Sequence, residues 1–273
     1  MSAPPDPRIA ATLMRCSRST PWHLAGEVPL TFDAHHPQGM VRVGASWWIS
    51  TVDITTTTGW LLHVTSAGEL VERVAVGDEV RFHPGGIDYD GRSLWVASSE
   101  YRPRSTAVIE RVDLDPPPGQ SPAAQPQFAV DDHIGGVVRL GPGGDVIGWT
   151  WGSRRFRRWT TSGTLVAEVR HPSHFVDYQD GQWIGDDLIV CGGVATVEVA
   201  QGKVSLGGLG VVRSSDLAVV VETPFPGHSS VTGRAATQNP IFVEAAGEEL
   251  VVHVLPDDGF GRILSFVTPL VQA

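Results

Sequence analysis

The sequence has little cysteine, and this excludes a disulfide framework. Cys16 and Cys191 are the two cysteines among 273 residues, whereas small disulfide-bonded scaffolds carry at least four. No cysteine pair has the spacing of a zinc site. Long apolar stretches of helical period are also scarce, which argues against a helical protein. No apolar run approaches the roughly 20 residues of a membrane span, and no signal-peptide pattern is present, so we expect a soluble cytoplasmic protein.

An excess of positive charge is missing as well. The formal net charge is −10 and the isoelectric point is about 5.4, so we expect neither nucleic acid nor a membrane as a partner. The one basic cluster, residues 154–158, suits a small anion better than a phosphate backbone. The glycine-rich stretches lack the lysine and the following helix of a phosphate-binding loop. There is no Gly-x-Ser-x-Gly motif of a serine hydrolase either.

Turn-forming residues and a repeated motif are what the sequence does have. The 31 glycines, 20 prolines and nine tryptophans suit short strands joined by tight turns. Five segments have a similar start, and their first residues are 47, 50, 41 and 65 positions apart. They begin His36-Pro-Gln-Gly-Met, His83-Pro-Gly-Gly-Ile, His133-Ile-Gly-Gly-Val, His174-Phe-Val-Asp-Tyr and Asn239-Pro-Ile-Phe-Val. A period in this range is typical of a β-propeller.

Each repeat contains the strands of one propeller blade. After the His or Asn motif, up to four strand-like segments follow, which is the content of a blade. The last repeat is one strand short, and residues 23–32 resemble the missing strand, which would close the ring and leave no open edge. We therefore predict an all-β fold, a five-bladed propeller over residues 21–273, with residues 1–20 as a tail. Because residues 174–239 are long for one blade, six blades are the alternative.

Equivalent positions in a closed ring converge on its axis, so the motif predicts a site. His36, His83, His133 and His174 would surround the channel mouth with Asn239, the only asparagine in the chain. His35 and His171 compete with His36 and His174 for their places. Four neutral imidazoles suit a divalent transition metal such as Fe, Zn, Cu or Ni. Asp132 and Asp177 stand nearby in sequence as acceptors for the second ring nitrogens, and Asp177 is also a substrate-binding candidate.

Loops that follow the second strands should overhang this mouth. They supply Glu100 and Tyr101 as acid–base candidates and Trp151 as a pocket wall. Arg102, Arg154 and Arg155 would orient a carboxylate or phosphate, since a guanidinium suits bidentate anion contacts. The alternative for Glu100 and Arg102 is a salt-bridged loop pair without a catalytic role.

The pattern supports a function without fixing it. We predict a metal-dependent enzyme of hydrolase, lyase or cyclase type that acts on a small anionic or oxygenated molecule. A histidine ring that binds substrate or moves protons without a metal is an open alternative, and so is a purely structural ring. A four-His iron or copper oxygenase and a non-catalytic propeller that binds a ligand or protein are further alternatives. The sequence does not predict the oligomeric state.

Six segments carry a family resemblance that runs from about Pro21 to Val267. They include His83-Pro-Gly-Gly-Ile-Asp-Tyr-Asp-Gly, Ser99-Glu-Tyr-Arg-Pro, Asp132-His-Ile-Gly-Gly, Trp151-Gly-Ser-Arg-Arg-Phe, His174-Phe-Val-Asp-Tyr-Gln-Asp and Ala236-Thr-Gln-Asn-Pro. The chain resembles a family of bacterial and fungal propellers of unassigned function, which implies the fold and no reaction. More distantly it is similar to virginiamycin lyase, gluconolactonase-like hydrolases and strictosidine synthase, whose active sites lie at the channel mouth. Those families mostly use Glu, Asn and Asp around calcium or no metal, and the His ring departs from that. Its ligand set is closer to the four-His iron site of carotenoid oxygenases, by analogy only.

Overall fold

The computed structural model describes residues 5–141, 143–171 and 175–271, and the regular secondary structure in these ranges is almost wholly β-strand. One α-helix, α1 (Pro7–Leu13), lies in the segment expected to be a tail. Asp6 caps it by accepting a 2.9 Å hydrogen bond from the Arg8 N–H, and its Ile9 and Leu13 are buried in the core. Within the described ranges no helix is long and apolar enough to cross a membrane.

The strands form antiparallel groups of four that follow one another along the chain, and the second and third groups are joined into one eight-stranded sheet. The first group is β2 (His36–Val43), β3 (Ser46–Asp53), β4 (Thr58–Val64) and β5 (Leu70–Val76). The second is β6 (His83–Tyr89), β7 (Ser93–Ser99), β8 (Ala107–Asp113) and β9 (Ala124–Val130). The third is β10 (Ile134–Arg139), β11 (Val146–Thr150), β12 (Arg155–Trp159) and β13 (Leu165–Arg170). The fourth is β14 (Asp177–Trp183), β15 (Leu188–Val199), β16 (Gly202–Arg213) and β17 (Val219–Phe225).

The last group takes its fourth strand from the beginning of the chain. It contains β18 (Ile241–Ala246), β19 (Glu249–Val254), β20 (Arg262–Pro269) and β1 (His23–Pro29). Strand β1 pairs with β20 in a register that places Val28 opposite Ile263. This confirms the predicted pairing of the N-terminal segment with the last strand.

The long fourth repeat is one sheet with an extended hairpin. β15 and β16 pair along their full twelve residues, from Leu188–Arg213 to Val199–Gly202. Their neighbours are shorter, because β14 pairs β15 only as far as Val194 and β17 pairs β16 only from Gly207. The extra residues therefore form a two-stranded ribbon that projects beyond the sheet.

The first strands of the groups meet at the centre, and Asp180 on β14 joins four of them. Its Oδ2 accepts the N–H groups of Met40 (2.9 Å) on β2 and Ile241 (3.1 Å) on β18. Its Oδ1 accepts those of Ile87 (3.2 Å) on β6 and Gly181 (3.0 Å) in its own strand. Burial raises the pKa of this carboxyl well above its ordinary value, and the backbone N–H donors act in the opposite direction. Because all four N–H groups need an acceptor, the geometry is that of a carboxylate.

Glycines in the motif allow the first strands to approach this closely. A Cβ at Gly39 would lie 2.5 Å from the Ile87 backbone nitrogen. A Cβ at Gly85 would lie 2.3 Å from the carbonyl oxygen of Gly135 on the next first strand. β6 and β10 also form a parallel bridge between Gly86 and Gly136. The glycine pairs thus serve contact between neighbouring strand backbones.

Apolar side chains fill the spaces between adjacent groups of strands. One cluster packs the fourth group, α1 and the last group together, around Leu209, Phe225 and Ile241. Another packs the third group against the fourth around Trp149, Phe156 and Tyr178. The core is therefore divided among the interfaces between sheets, as in face-to-face sheet packing.

Candidate functional site

A cavity opens where the first strands begin, and it contains half of the predicted site residues. It has a volume of about 200 Å³. The lining residues are His36, Gln38, His83, Tyr101, His133, Gly135, Thr150, Trp151, Gly152, Asp177, Tyr178 and Gln179. Three of the four predicted histidines therefore share one cavity with Tyr101, Trp151 and Asp177. His174 lies outside the described residues.

Two of these imidazoles are held in a defined tautomer. His133 Nδ1 lies 2.9 Å from the backbone carbonyl of Glu100. A carbonyl can only accept, so Nδ1 carries the proton and Nε2 has the lone pair. His36 Nδ1 lies 2.8 Å from Asp258 Oδ1, and a carboxylate favours the same tautomer. Asp258 also forms a 2.8 Å ion pair with Arg234. Burial acts to raise the pKa of Asp258, but the contacts with His36 and Arg234 lower it to about 2.

His83 is one of two buried histidines in the cavity wall. It is 5% exposed and His133 is 2% exposed, and the Nδ1 of His83 has no hydrogen-bond partner among the described residues. Its ring stacks on Tyr101 at 4.3 Å between centroids and lies 5.4 Å from the ring of His133. Burial, followed by the neighbouring His133 and His36, holds the pKa of His83 well below 6.5. Burial likewise lowers the pKa of His133 to about 4, so both rings are neutral at pH 7.

A tight turn after β11 forms one wall of the cavity. The 3₁₀ turn Trp151–Ser153 contains Gly152 at φ 66° and Ser153 at φ 46°, a left-handed conformation that costs free energy for serine. The turn places Trp151 edge-on to His133, with ring centroids 4.7 Å apart. It also places the Ser153 hydroxyl where it accepts the Tyr178 N–H at 2.6 Å and donates to Asp177 Oδ1 at 3.0 Å.

Asp177 is the carboxyl of this cavity. Burial raises its pKa to about 6, and the hydrogen bond from Ser153 acts in the opposite direction. Its Oδ2 accepts no hydrogen bond from the described residues, so this oxygen is available to a ligand. A carboxyl with a pKa close to neutrality can both take up and release a proton under physiological conditions.

Other predicted residues lie outside the cavity wall. Glu100 forms a 2.7 Å ion pair with Arg102 and accepts hydrogen bonds from Thr106, which lower its pKa. Arg154 is paired with Asp132 at 3.0 Å and Arg155 with Glu168 at 2.5 Å. Each of these charges therefore has a partner elsewhere.

Asn239 and the two competing histidines also lie apart from the lining. Asn239 is buried and donates to the Pro256 carbonyl at 3.2 Å. His171 is buried against the rings of Phe156 and Tyr178. His35 has φ 55°, and its Nδ1 lies about 4 Å from Asp33 and Asp53.

The sequence reasoning missed two glutamines and one serine. Gln38 and Gln179 line the cavity, and Ser153 hydrogen-bonds Asp177. Gln38 occupies the repeat position that holds Gly85 and Gly135 in the next two copies. A polar side chain where the other copies have glycine is a signal that an alignment of the repeats could have used.

The described ranges contain no group of three or more His, Cys, Asp or Glu side chains close enough together to hold a metal ion. His36, His83 and His133 share the cavity wall without converging on one point. The fourth predicted ligand, His174, lies outside the described residues. The metal site predicted from the sequence therefore stays a prediction.

Structural comparison finds solved structures that resemble this chain at low sequence identity. The tail fibre of Staphylococcus aureus phage P68 matches with a TM-score of 0.55 at 8% identity, over 93% of this chain and 54% of its own. This chain thus spans about half of that fibre chain. A streptogramin B lyase structure matches with a TM-score of 0.46 at 10% identity, over 92% and 88% of the two chains. A member of the DUF4221 family from Bacteroides vulgatus matches with a TM-score of 0.44 at 8% identity, over 94% and 100%.

Sequence comparison gives a family and no activity. No curated protein matches the chain. The profile of a family of unknown function, DUF6454, matches residues 8–268, and this bears out the resemblance to a family of unassigned function. With nearly its whole length matched, the chain belongs to the family of unknown function DUF6454.

Proposed function

We propose that the groups of four strands are the blades of a five-bladed propeller and that the histidine-lined cavity at its mouth is an active site. The pairing of β1 with β20 supports ring closure. The single sheet formed by β14–β17 supports one blade, not two, for the long fourth repeat. In this arrangement the cavity lies at the start of the innermost strands.

The proposed activity is proton-transfer chemistry of lyase or hydrolase type, with Asp177 as the general acid or base. The observation that carries this is the combination of a carboxyl of pKa about 6 with neutral imidazoles in one enclosed wall. Asp177 Oδ2 would take a proton from the substrate or from water and return it to the leaving group. The Nε2 lone pair of His133 would accept a hydrogen bond from a substrate hydroxyl group, because its Nδ1 proton is already engaged.

The proposed substrate is a small, uncharged, oxygenated molecule with a planar part. The described lining contains no Lys or Arg, and the arginines expected to bind an anion have partners of their own. Tyr101 and Trp151 offer faces against which a planar group can pack. A volume of about 200 Å³ lies below the usual range for drug-sized ligands, so the substrate should be small.

Turnover of a panel of small lactones, esters and hydroxy-ketones, followed by proton NMR, tests this proposal. Asp177→Asn should reduce turnover of any substrate found by at least about 100-fold, since a positioned acid–base group contributes that much or more. The rate of the wild type should show a limb near pH 6 that Asp177→Asn abolishes. Asp131→Asn, a change of an exposed aspartate, is the matched control.

The same experiment can contradict the proposal directly. Carbon-13 NMR of labelled aspartate side chains would measure the pKa of Asp177 even without a substrate. A value near 4, or turnover that survives in Asp177→Asn with its pH limb intact, would remove Asp177 from the chemistry.

A transition-metal site is the second candidate. Its supporting observation is that His36 and His133 have their Nδ1 atoms held by oxygen acceptors, which is how metal-binding histidines are commonly oriented. His36, His83, His133 and His174 would hold the ion, which would supply Lewis-acid polarisation of a substrate oxygen. Elemental analysis of untagged protein tests it: metal retained by the wild type should be lost from His133→Ala. Less than about a tenth of an equivalent after soaking would contradict this candidate.

A further inference from the structure

A second and larger cavity lies at the opposite end of the first strands. Its volume is about 320 Å³, within the range of small-molecule sites. Residues near the ends of β2, β6, β10 and β14 line it, and part of α1 forms a wall. Asp180 lies between this cavity and the histidine-lined one. Its neighbour Gln179 lines the histidine-lined cavity, and Gln182 lines the second cavity.

Asp88 is a buried carboxyl in the wall of this second cavity, and no described residue forms an ion pair with it. It is 5% exposed, and its two oxygens each accept one backbone N–H, from Tyr89 and Arg139, both at 2.8 Å. One acceptor position on each oxygen is therefore left over. Within the described ranges no side-chain cation lies in ion-pair distance of Asp88. A buried carboxyl without a counter-ion is costly when ionised, and burial raises the pKa of Asp88 to about 7.

The two arginines in the wall are matched to other acids. Arg42 pairs with Glu244 at 2.5 Å. The guanidinium of Arg139 is packed 4.6 Å from the ring centroid of Trp95, and its nearest acid is Asp90 at 3.9 Å. The charge of Arg139 acts on Asp88 only at longer range, where it lowers the pKa of that carboxyl, and no described side-chain cation is in direct contact with Asp88.

Apart from Asp6 and Gln182, the remaining wall is apolar or aromatic. Trp183, Phe242, Tyr89 and Val41 border the cavity. Aromatic faces beside a carboxylate suit an organic cation, because the ring face attracts positive charge and the apolar body of the ligand is removed from water. A free anion is disfavoured here because no described side-chain cation contacts the Asp88 carboxylate.

We propose that this second cavity binds a small organic cation, a primary amine with an aromatic or branched apolar body. The ammonium group donates to the free acceptor positions of Asp88, and the body packs against Trp183 and Phe242. This site is separate from the proposed active site, so it stands or falls independently of the proposed function.

Calorimetric titration with benzylamine tests the proposal, with benzyl alcohol and benzoate as neutral and anionic probes of the same shape. Benzylamine should bind the wild type with a Kd on the order of 1 mM, as expected for a fragment of this size. The two other probes should bind at least about 10-fold more weakly. Asp88→Asn should weaken benzylamine binding about 10-fold or more, because a charged hydrogen bond is lost.

Two further variants keep the test decisive. Ala245→Phe places a large side chain in the cavity wall and should abolish binding, whether or not Asp88→Asn folds. Asp131→Asn, at an exposed position, should leave binding unchanged. No binding of benzylamine at about 10 mM, equal binding of the three probes, or wild-type affinity in Ala245→Phe would each overturn the proposal.

Discussion

Replacement of Asp180 by asparagine should cost more stability than almost any other conservative change in this protein. The carboxylate accepts four backbone N–H groups from four first strands and is fully buried. An amide keeps one oxygen and replaces the other by a donor. Two buried N–H groups then lose their acceptor, either those of Met40 and Ile241 or those of Ile87 and Gly181.

The magnitude follows from the cost of orphaned donors. Each buried N–H without a partner costs about 1–3 kcal/mol, so two cost roughly 2–6 kcal/mol. Relief of burying a charge offsets part of this, and we expect a net loss of about 2–4 kcal/mol in the free energy of unfolding. Such a loss is a large part of the roughly 5–15 kcal/mol that stabilises a typical domain.

Urea unfolding of Asp180→Asn, followed by tryptophan fluorescence, measures this loss. Asp131→Asn, with an exposed side chain, should change the unfolding free energy by less than about 0.5 kcal/mol. If Asp180→Asn is as stable as the wild type, the carboxyl carries a proton in the folded protein. The description of Asp180 as an ionised acceptor for four strands would then be wrong.

Three other changes follow from the same structure. Gly86→Ala would place a Cβ 2.6 Å from Asp180 Oδ1 and should lower the free energy of unfolding, measured in urea, by about 1–3 kcal/mol. Gly26→Ala, with open space around the added methyl group, should leave it unchanged. Equal effects of the two changes would contradict the close approach. Because the pKa of His133 falls from 6.5 to about 4 on folding, the unfolded chain binds more protons. The contribution of His133 to stability should therefore fall by up to about 3 kcal/mol between pH 6.5 and 4, and the difference between the urea-unfolding free energies of the wild type and His133→Asn measures it; parallel curves would refute this. Ser153→Ala should move the pKa of Asp177 above 6 by carbon-13 NMR, because it removes the hydrogen bond that lowers it; an unchanged value would show that burial alone sets it.

The repeated motif predicted the arrangement of the site better than its chemistry. His36, His83 and His133 share a cavity because equivalent residues of successive repeats start equivalent strands. The spacing of the three histidines in the sequence indicates this equivalence. The interaction partners of the polar loop residues could not be predicted from the spacing of the repeats. Arg155 faces Glu168 on β13, a pairing that depends on strand register, and Asp258 reaches His36 across 222 positions of sequence.

Burial was the other quantity that the sequence did not contain. Asp177 and Asp180 stand three residues apart in the same strand, yet one lines a cavity and the other is sealed among backbone groups. Their roles differ because of what the other strands place around them. The extra length of the fourth repeat had a local cause as well, a ribbon at residues 195–206 that no periodic pattern reveals.

The contact of four strands on one carboxylate separates the two cavities. They share no lining residue, and the first strands approach one another closely around Asp180, which lies between them. A ligand in one cavity would therefore have no direct contact with a ligand in the other. The two ends are nevertheless tied to the same carboxylate, so a ligand that shifts the inner strands at one end would act on the geometry of the other.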